Sequence, residues 1–339
     1  MSWPLLRYLE AAASAFQPLR GLIHPWLPPK LKEVTETETV APPRNRSIRS
    51  LLPELFDRRR FLGLSAFAAA GLAFYSCEIA RHEIQVVERT IGIAGLPPSF
   101  AGFRLLQISD IHLAEYTEGY FLERVIRRIN ELRPDLVAIT GDFVSNEPLP
   151  RSFGTKMGYV CAEMLSRIAC PLRYAVLGNH DMLVNSSAVT DALHTHGISV
   201  LRNRAVPLEK DGGRIWLAGL AEVEFQHPDI DATLAAPSRA GREPVILMVH
   251  EPDYADSLVG RKVSLILSGH SHGGQVRLPV LGPIVLPYLG RKYVEGHFSL
   301  PGDIQLYVNR GIGTIGLPLR LFCPPEITVL TLQPRPSAL

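Results

Sequence analysis

Five short apolar runs in this sequence each lead into an acidic residue, an amide or a histidine, and that repetition restricts the fold more than any other feature. The runs 104–108, 136–140, 174–177, 245–249 and 264–267 are too short for helices and have the length of buried strands. They lead into Ser109-Asp110-Ile111-His112, Gly141-Asp142, Gly178-Asn179-His180-Asp181, His250 and Ser268-Gly269-His270-Ser271-His272. Helical patterns separate the first three runs. One covers 121–132, with Phe121, Leu122, Val125, Ile126, Ile129 and Leu132 on one face and Pro134 as its stop; the other covers 158–168. Strand, helix, strand, helix, strand is the order of a parallel sheet with crossover helices. The pattern goes on with an entry strand at 83–93, a helix at 187–196 and a strand at 198–201. A hairpin pairs 206–209 with 214–220 through Asp211-Gly212-Gly213, and late strands at 305–308 and 327–332 close the fold. Many strands with fewer helices indicate an α/β fold of two packed sheets flanked by helices. The quartet Gly178–Asp181 is expected where a strand gives way to a loop, the edge at which open α/β sheets bind ligands.

The polar residues at those strand ends are Asp110, His112, Asp142, Asn179, His180, His250, His270 and His272. A parallel sheet brings such ends to one edge. Carboxylates crowded there repel, and imidazoles removed from water cost free energy. Divalent cations resolve both difficulties, and mixed nitrogen and oxygen ligands suit Mn, Fe, Zn, Co or Ni better than Ca or Mg. Seven ligands, with His180 left aside, are too many for one cation and suit two that share a carboxylate. A pair of cations ~3.5–4 Å apart is a clamp for phosphate-ester hydrolysis.

Taken in order, Asp110-x-His112, Gly141-Asp142, Gly178-Asn179-His180-Asp181, His250 and Gly269-His270-x-His272 resemble the motifs of the calcineurin-like metallophosphoesterases. The resemblance covers residues 87–332 and implies a β-sandwich flanked by helices. It implies that Asp110, His112, Asp142 and His272 hold one metal, and that Asn179, His250 and His270 hold the other, with Asp142 bridging. It also implies that His180 faces the substrate as phosphate stabiliser or general acid, oriented by Asp181. The segments 270–279, Arg310-Gly311-Ile312-Gly313 and 323–327 resemble a branch of membrane-associated phosphodiesterases, similar to an alternative type of UDP-2,3-diacylglucosamine hydrolase. That branch also includes exported enzymes. The implied reaction is hydrolysis of a phosphodiester or pyrophosphate, with a lipid-linked substrate among the candidates. The alternatives are a phosphomonoesterase acting on soluble substrates, or a metal-bound scaffold without turnover.

The amino-terminal part has a different composition. Residues 1–57 are rich in proline with scattered charge and are expected to be a flexible segment on the cytoplasmic side. Asp57-Arg58-Arg59-Arg60-Phe61-Leu62-Gly63, followed by an apolar run at 64–75, resembles a twin-arginine export signal. The run is short for a spanning helix, which needs ~20 residues. Residues 58–82 are therefore expected to act as a signal or membrane anchor, with an uncleaved anchor favoured because no small-x-small site follows. The alternative is a buried amphipathic helix with a basic cap. The arginines ahead of the run place the catalytic part, 83–335, on the extracytoplasmic side, although the lipid A reaction of the similar hydrolases is cytoplasmic.

The formal net charge of +2 gives no argument for a nucleic-acid partner, and Cys77, Cys161, Cys170 and Cys323 show neither zinc-ligand nor disulfide-framework spacing. Cys161 and Cys170 read as small buried apolar residues. His194 and His196 read as surface residues on a helix and His227 as a loop residue; His297 is left unassigned. Arg277 and Arg310 are second-tier candidates for contacting a substrate phosphate. Two apolar stretches broken by proline, 278–289 and 312–322, are candidates for a greasy rim that receives acyl chains or rests on lipid, with ordinary packing as the alternative.

Overall fold

The computed structural model describes residues 58–113, 116–146, 150–241 and 243–335. The segment expected to be flexible, 1–57, lies outside these. Helix α1 (Arg58–Phe74) continues through a π-turn (Tyr75–Ile79) and a 3-10 turn (Ala80–His82). Over the 25 residues Arg58–His82 this run is long and apolar enough to cross a membrane, by length and composition. At ~1.5 Å per residue it is longer than a hydrocarbon core is thick. The helical run is longer than the apolar stretch 64–75 suggested, because Tyr75–His82 extends it. No residue of α1 is buried.

The α/β fold begins with β1 (Gln85–Ala94), β2 (Arg104–Ile108), α2 (Gly119–Leu132), β3 (Leu136–Thr140), α3 (Arg151–Leu165), β4 (Arg173–Val176), α4 (Asn179–Thr195) and β5 (Ser199–Val200). It continues with β6 (Arg204–Lys210), β7 (Gly213–Gly219), α5 (Ile230–Arg239), β8 (Val245–Met248) and β9 (Leu265–Ser268). A two-stranded ribbon, β10 (Arg277–Leu278) and β11 (Gly282–Pro283), precedes β12 (Gly296–Leu300), β13 (Ile304–Val308) and β14 (Glu326–Arg335). Two six-stranded sheets result, in the orders β1-β14-β2-β3-β4-β5 and β12-β13-β9-β8-β7-β6. Each has four parallel strands in succession, β2 to β5 in the first and β13-β9-β8-β7 in the second.

Both faces of these parallel strands are covered, so their sequences are apolar throughout instead of alternating. Leu105, Leu136, Ala138, Val176, Ile246, Met248, Leu265 and Leu267 fill the space between the sheets. Their neighbours Leu106, Val137 and Ile139 point the other way, against Phe121, Leu122, Val125 and Ile129 of α2 and the buried side chains of α3 and α4. On the far side of the second sheet, Val245, Leu247 and Ile266 pack with Leu234 of α5 and with Ala255 and Leu258. Each such Leu, Ile, Val, Met or Phe side chain contributes ~1.5–3 kcal/mol when fully buried. The terminal strands are tied in by register, with β1 running parallel to β14 from Gln85 opposite Glu326 onward.

Four elements depart from the sequence reading. The loop expected after Leu177 is a helix start, since α4 begins at Asn179 and is broken only at Asn185 (φ −178°, ψ 90°). Asn185 Oδ1 accepts the Ala188 N–H at 3.1 Å, which caps the second half and explains why the pattern was first visible from 187. Helix α3 starts at Arg151, seven residues before the expected 158, its first turns being obscured by Gly154 and Gly158. Helix α5, with Pro237 inside it, and strand β12 carry no clear periodicity and were not anticipated.

The second sheet comes into close contact with the first at Gly219, the last residue of β7. A Cβ there would lie 2.9 Å from Val176 Cγ1 and 2.9 Å from Leu201 O on the first sheet. Gly219→Ala is therefore expected to destabilise the fold by ~1–3 kcal/mol, the range for overpacking a tight core. The midpoint of urea unfolding would show it as a downward shift at unchanged m-value.

Candidate metal centre

The five parallel strands β2, β3, β4, β8 and β9 end on one edge, and the turns leaving them hold one another. Asp110 N donates to Gly141 O (2.9 Å), Ile111 N and His112 N to Asp142 O (2.8 and 3.0 Å), and Gly269 N to His250 O (3.0 Å). The two sheets are joined at this edge by Gln107 Nε2, which donates to Thr140 Oγ1 (3.0 Å) and to Ser268 O (2.9 Å). Asp110, His112, Asp142, His270 and His272 all adopt positive φ, between 47° and 67°. That region is costly for residues with a side chain and is maintained only where the surroundings enforce it. Here the strain turns each side chain back over the strand end.

Two buried clusters with mutually close ligand atoms result: Asp110, His112 and His272, and Asp142, His250 and His270. In the first, His112 Nε2 is 3.0 Å from His272 Nε2, and His272 Nε2 is 3.5 Å from Asp110 Oδ1. In the second, His250 Nε2 is 3.2 Å from Asp142 Oδ2. Asp142 Oδ2 is also 3.5 Å from His112 Nε2, so this carboxylate lies between the clusters. The imidazoles are aimed from behind, as metal-ligating histidines are. His250 Nδ1 donates to Thr140 O (2.6 Å), His112 Nδ1 is hydrogen-bonded to Ser145 Oγ (2.8 Å), and His270 Nε2 donates to Tyr288 O (2.6 Å).

The donor set suits divalent cations. Asn179 Oδ1 is buried without a hydrogen-bond partner, as are His250 Nε2 and His272 Nδ1. Orphaned buried polar atoms of this kind are costly unless something meets them. Burial, followed by the influence of His250, brings His270 down to about 4. Burial also holds His112 and His272 well below the ordinary histidine range, so all three offer lone pairs at neutral pH. Burial would lower His250 too, but the Asp142 and Asp110 carboxylates outweigh it and hold it well above that range. Burial would raise Asp142, yet His250, His180 and His112 around it keep it well below the usual carboxylate range. The close approach of His250 Nε2 to Asp142 Oδ2 marks a place that a cation can take.

The other expected residues fall into place differently. His180 stands edge-on to His112, ring centroids 4.9 Å apart, with its backbone N–H donating to Asp142 Oδ1 (2.9 Å). Asp181 is fully buried, and its bonds go to the backbone and not to the His180 ring: it accepts the N–H of Asp142 (2.9 Å), Phe143 (2.9 Å) and Gly178 (3.0 Å). Burial and the Asp142 carboxylate push Asp181 up to about 8, against those donors. Arg277 and Arg310 are engaged elsewhere, Arg277 with Glu295 (2.9 Å) and Arg310 with Glu295 (3.7 Å) and Glu326 (2.5 Å). His194 Nε2 accepts the Val200 N–H (3.3 Å) and His297 meets Gln305 Oε1 (3.1 Å); neither belongs to the clusters. Cys161 and Cys170 are buried and free, as expected of small apolar residues.

Four participants were missed in the sequence. Ser145 and the Tyr288 carbonyl back two of the histidines. Glu251 is fully buried beside His250, and its carboxyl is held well above its ordinary value by burial and by the buried Glu222. Arg320, also fully buried, lies near His272. Only Glu251, adjacent to a candidate ligand, had a positional signal. The expected greasy rim is exposed at Val280, Leu281, Ile284, Val285 and Tyr288, and also at Leu317 and Phe322.

The foot of the helical run from Arg58 to His82 is fastened next to this edge. Arg81 Nη2 donates to Glu118 Oε1 (2.6 Å), and Arg81 Nη1 to Tyr116 O (2.7 Å). His82 Nε2 pairs with Glu118 Oε2 (3.0 Å), and Arg320 N donates to Ser76 O (3.0 Å).

Gly178 leaves no room for a side chain, because a Cβ there would fall well inside contact distance of Asp142 Oδ1. Gly178→Ala is expected to fold, displace the Asp142 carboxylate and lose at least one of two bound manganese equivalents. Metal analysis of the dialysed protein checks this; two equivalents retained would refute it.

The sequence profile of the calcineurin-like phosphoesterases matches residues 103–274. The chain is 38% identical over 293 residues, 86% of its length, to a Bacillus subtilis (strain 168) protein named uncharacterized metallophosphoesterase YkuE, of which it covers 99%. It is 31% identical over 304 residues to a Danio rerio transmembrane protein with metallophosphoesterase domain, covering 86% of this chain and 66% of that one. It is 29% identical over 290 residues to phosphodiesterase YaeI of Escherichia coli (strain K12), covering 82% of this chain and 100% of that one.

Proposed function

The chain belongs to the calcineurin-like phosphoesterase family and is a metal-dependent phosphoester hydrolase, and from that premise we propose that it cleaves a phosphodiester or pyrophosphate bond at a two-cation centre. The observation that carries the reading is the position of Asp142 Oδ2, 3.5 Å from His112 Nε2 of one cluster and 3.2 Å from His250 Nε2 of the other. In this assignment Asp110, His112 and His272 hold one cation, Asn179, His250 and His270 hold the second, and Asp142 serves both. Bound there, the cations would lower the pKa of a water and neutralise charge on the phosphoryl oxygens.

The remaining work falls to the chain's own residues. His180, half-exposed and with Nδ1 lacking a partner, stabilises the phosphoryl oxygens or protonates the leaving oxygen. Asp181 fixes the Gly141–Val144 turn by accepting its N–H groups, and so sets where Asp142 points. A diester carries one phosphoryl charge and a monoester close to two at neutral pH. The engagement of Arg277 and Arg310 with Glu295 and Glu326 favours the diester.

The substrate is proposed to be lipid-linked and met at a membrane surface, with 58–82 as an uncleaved anchor of twin-arginine type. Three features support this: the membrane-length helical run Arg58–His82, the exposed apolar residues between Val280 and Tyr288, and the Tyr288 carbonyl on the His270 ring. Arg58, Arg59 and Arg60 ahead of the apolar run favour an extracytoplasmic catalytic unit, 83–335.

The test is manganese-dependent hydrolysis by the full chain in detergent, with bis(p-nitrophenyl) phosphate, p-nitrophenyl phosphate and UDP-2,3-diacylglucosamine compared side by side. The diester is expected to exceed the monoester, and the lipid nucleotide to exceed both. Monoester preference would overturn the diester reading, and no metal-stimulated turnover of any of them would leave a scaffold. A second expectation separates the roles. His180→Ala should retain both cations and lose ~10²–10⁴-fold in kcat, the range for a positioned proton donor. Asp142→Asn should lose metal as well. Equal metal content in the two variants would break the division of labour.

A further inference from the structure

Arg320 is the largest fully buried side chain among the described residues, and its guanidinium is met by backbone carbonyls. Nε donates to Gly313 O (3.2 Å) and Nη1 to Cys323 O (3.0 Å). Nη2 is shared among Arg310 O (2.9 Å), Gly311 O (3.2 Å) and Gly313 O (2.6 Å). A buried cation is costly, and each of these charge-assisted bonds offsets part of that cost. The planar fork of donors suits Arg to such a node in a way that a lysine ammonium does not match.

The carbonyls it gathers belong to two segments with distinct tasks. The first, 310–313, lies against the Asp110 turn. Ile312 N donates to Ser109 O (2.9 Å) and Gly313 N to Asp110 O (2.7 Å), and a Cβ on Gly311 would lie 2.7 Å from Asp110 Cβ. The second segment lies behind His272, since Cys323 Sγ donates to His272 O (3.3 Å) and to Gly273 O (3.5 Å). Asp110 and His272 come from different sheets, and their ligand atoms are 3.5 Å apart in one cluster. The other cluster is braced without Arg320: His250 by Thr140 O, His270 by Tyr288 O, and the Asp142 turn by Asp181.

We infer that Arg320 is a positioning residue for one cation site alone, holding Asp110 and His272 at ligating distance by clamping the segments behind them. The inference rests on the two-cation reading given above. Groups that orient first ligands typically change metal affinity ~10–100-fold when lost, and that is the expected size here.

The test is manganese titration of the metal-free full chain, followed by calorimetry. The wild type is expected to bind two equivalents, and Arg320→Lys to keep one unchanged while the other weakens ~10–100-fold. The defect should be non-additive with His272→Ala and additive with His270→Ala. Should Arg320→Lys show no cooperative unfolding transition, Cys323→Ala decides, since it leaves the guanidinium–carbonyl bonds in place, removes the Sγ contacts with His272 O, Gly273 O and Arg320 Nη1, and is expected to weaken the same single site. Two unchanged sites in the folded variant, or equal weakening of both, overturns the role assigned to Arg320 while leaving the two-cation reading intact. A wild type that binds no manganese overturns both.

Discussion

The carboxylate of Asp142 is the group on which the surrounding architecture depends. It is almost fully buried and set between histidines of two sheets, and the surrounding imidazoles hold it well below the usual carboxylate range against the effect of burial. A lone carboxylate in such a place would take up a proton to escape the desolvation cost. It is held instead by the His180 N–H on Oδ1 and by imidazole nitrogens on Oδ2. Those partners must come from separate strands, because one strand end cannot surround a carboxylate. A fold in which several parallel strands end on one edge answers that demand, and the sandwich provides two such rows.

The backbone absorbs the geometric consequence. Five of the seven candidate ligands sit at positive φ, each at a cost that helix or strand residues avoid. The compensation is distributed among bonds between turns, among them Ile111 N and His112 N on Asp142 O, and Gln107 bridging to Thr140 and Ser268. Asp181 belongs to this framework. A side chain that accepts from four backbone donors of neighbouring turns shapes the edge from behind. Assigning it to His180 from its place in the quartet mistook adjacency in sequence for contact in space.

The strands of the parallel rows were legible because burial on both faces makes them uninterrupted apolar runs, and their polar terminators mark the edge. Asp110, His112, Asp142, His250, His270 and His272 stand at those terminators and fall into the two clusters. Other features left no such trace. Helix α5 has a proline within it, and β12 carries Gly296 and His297, so neither shows a clean period. The start of α4 was hidden because a helix that opens with Asn179-His180-Asp181 spends its first turn on the site, not on the core. Arg320 could not be found from spacing at all. Its partners are carbonyls, which every residue has, and only the chain's path brings four of them to one guanidinium.

The placement of arginines also bears on what the edge can receive. Arg277 and Arg310 follow the last candidate ligands, where proximity in sequence suggests a phosphate clamp, and Arg320 lies further along the same stretch. Each is already committed, the first two to Glu295 and Glu326 and the third to backbone carbonyls. Releasing any of them to a substrate would strand a buried or half-buried acceptor, at a cost of ~1–3 kcal/mol for each one left unsatisfied. That penalty makes them poor substrate ligands and good braces. On the proposed assignment, charge compensation at the phosphoryl group would rest on the metal clusters and His180.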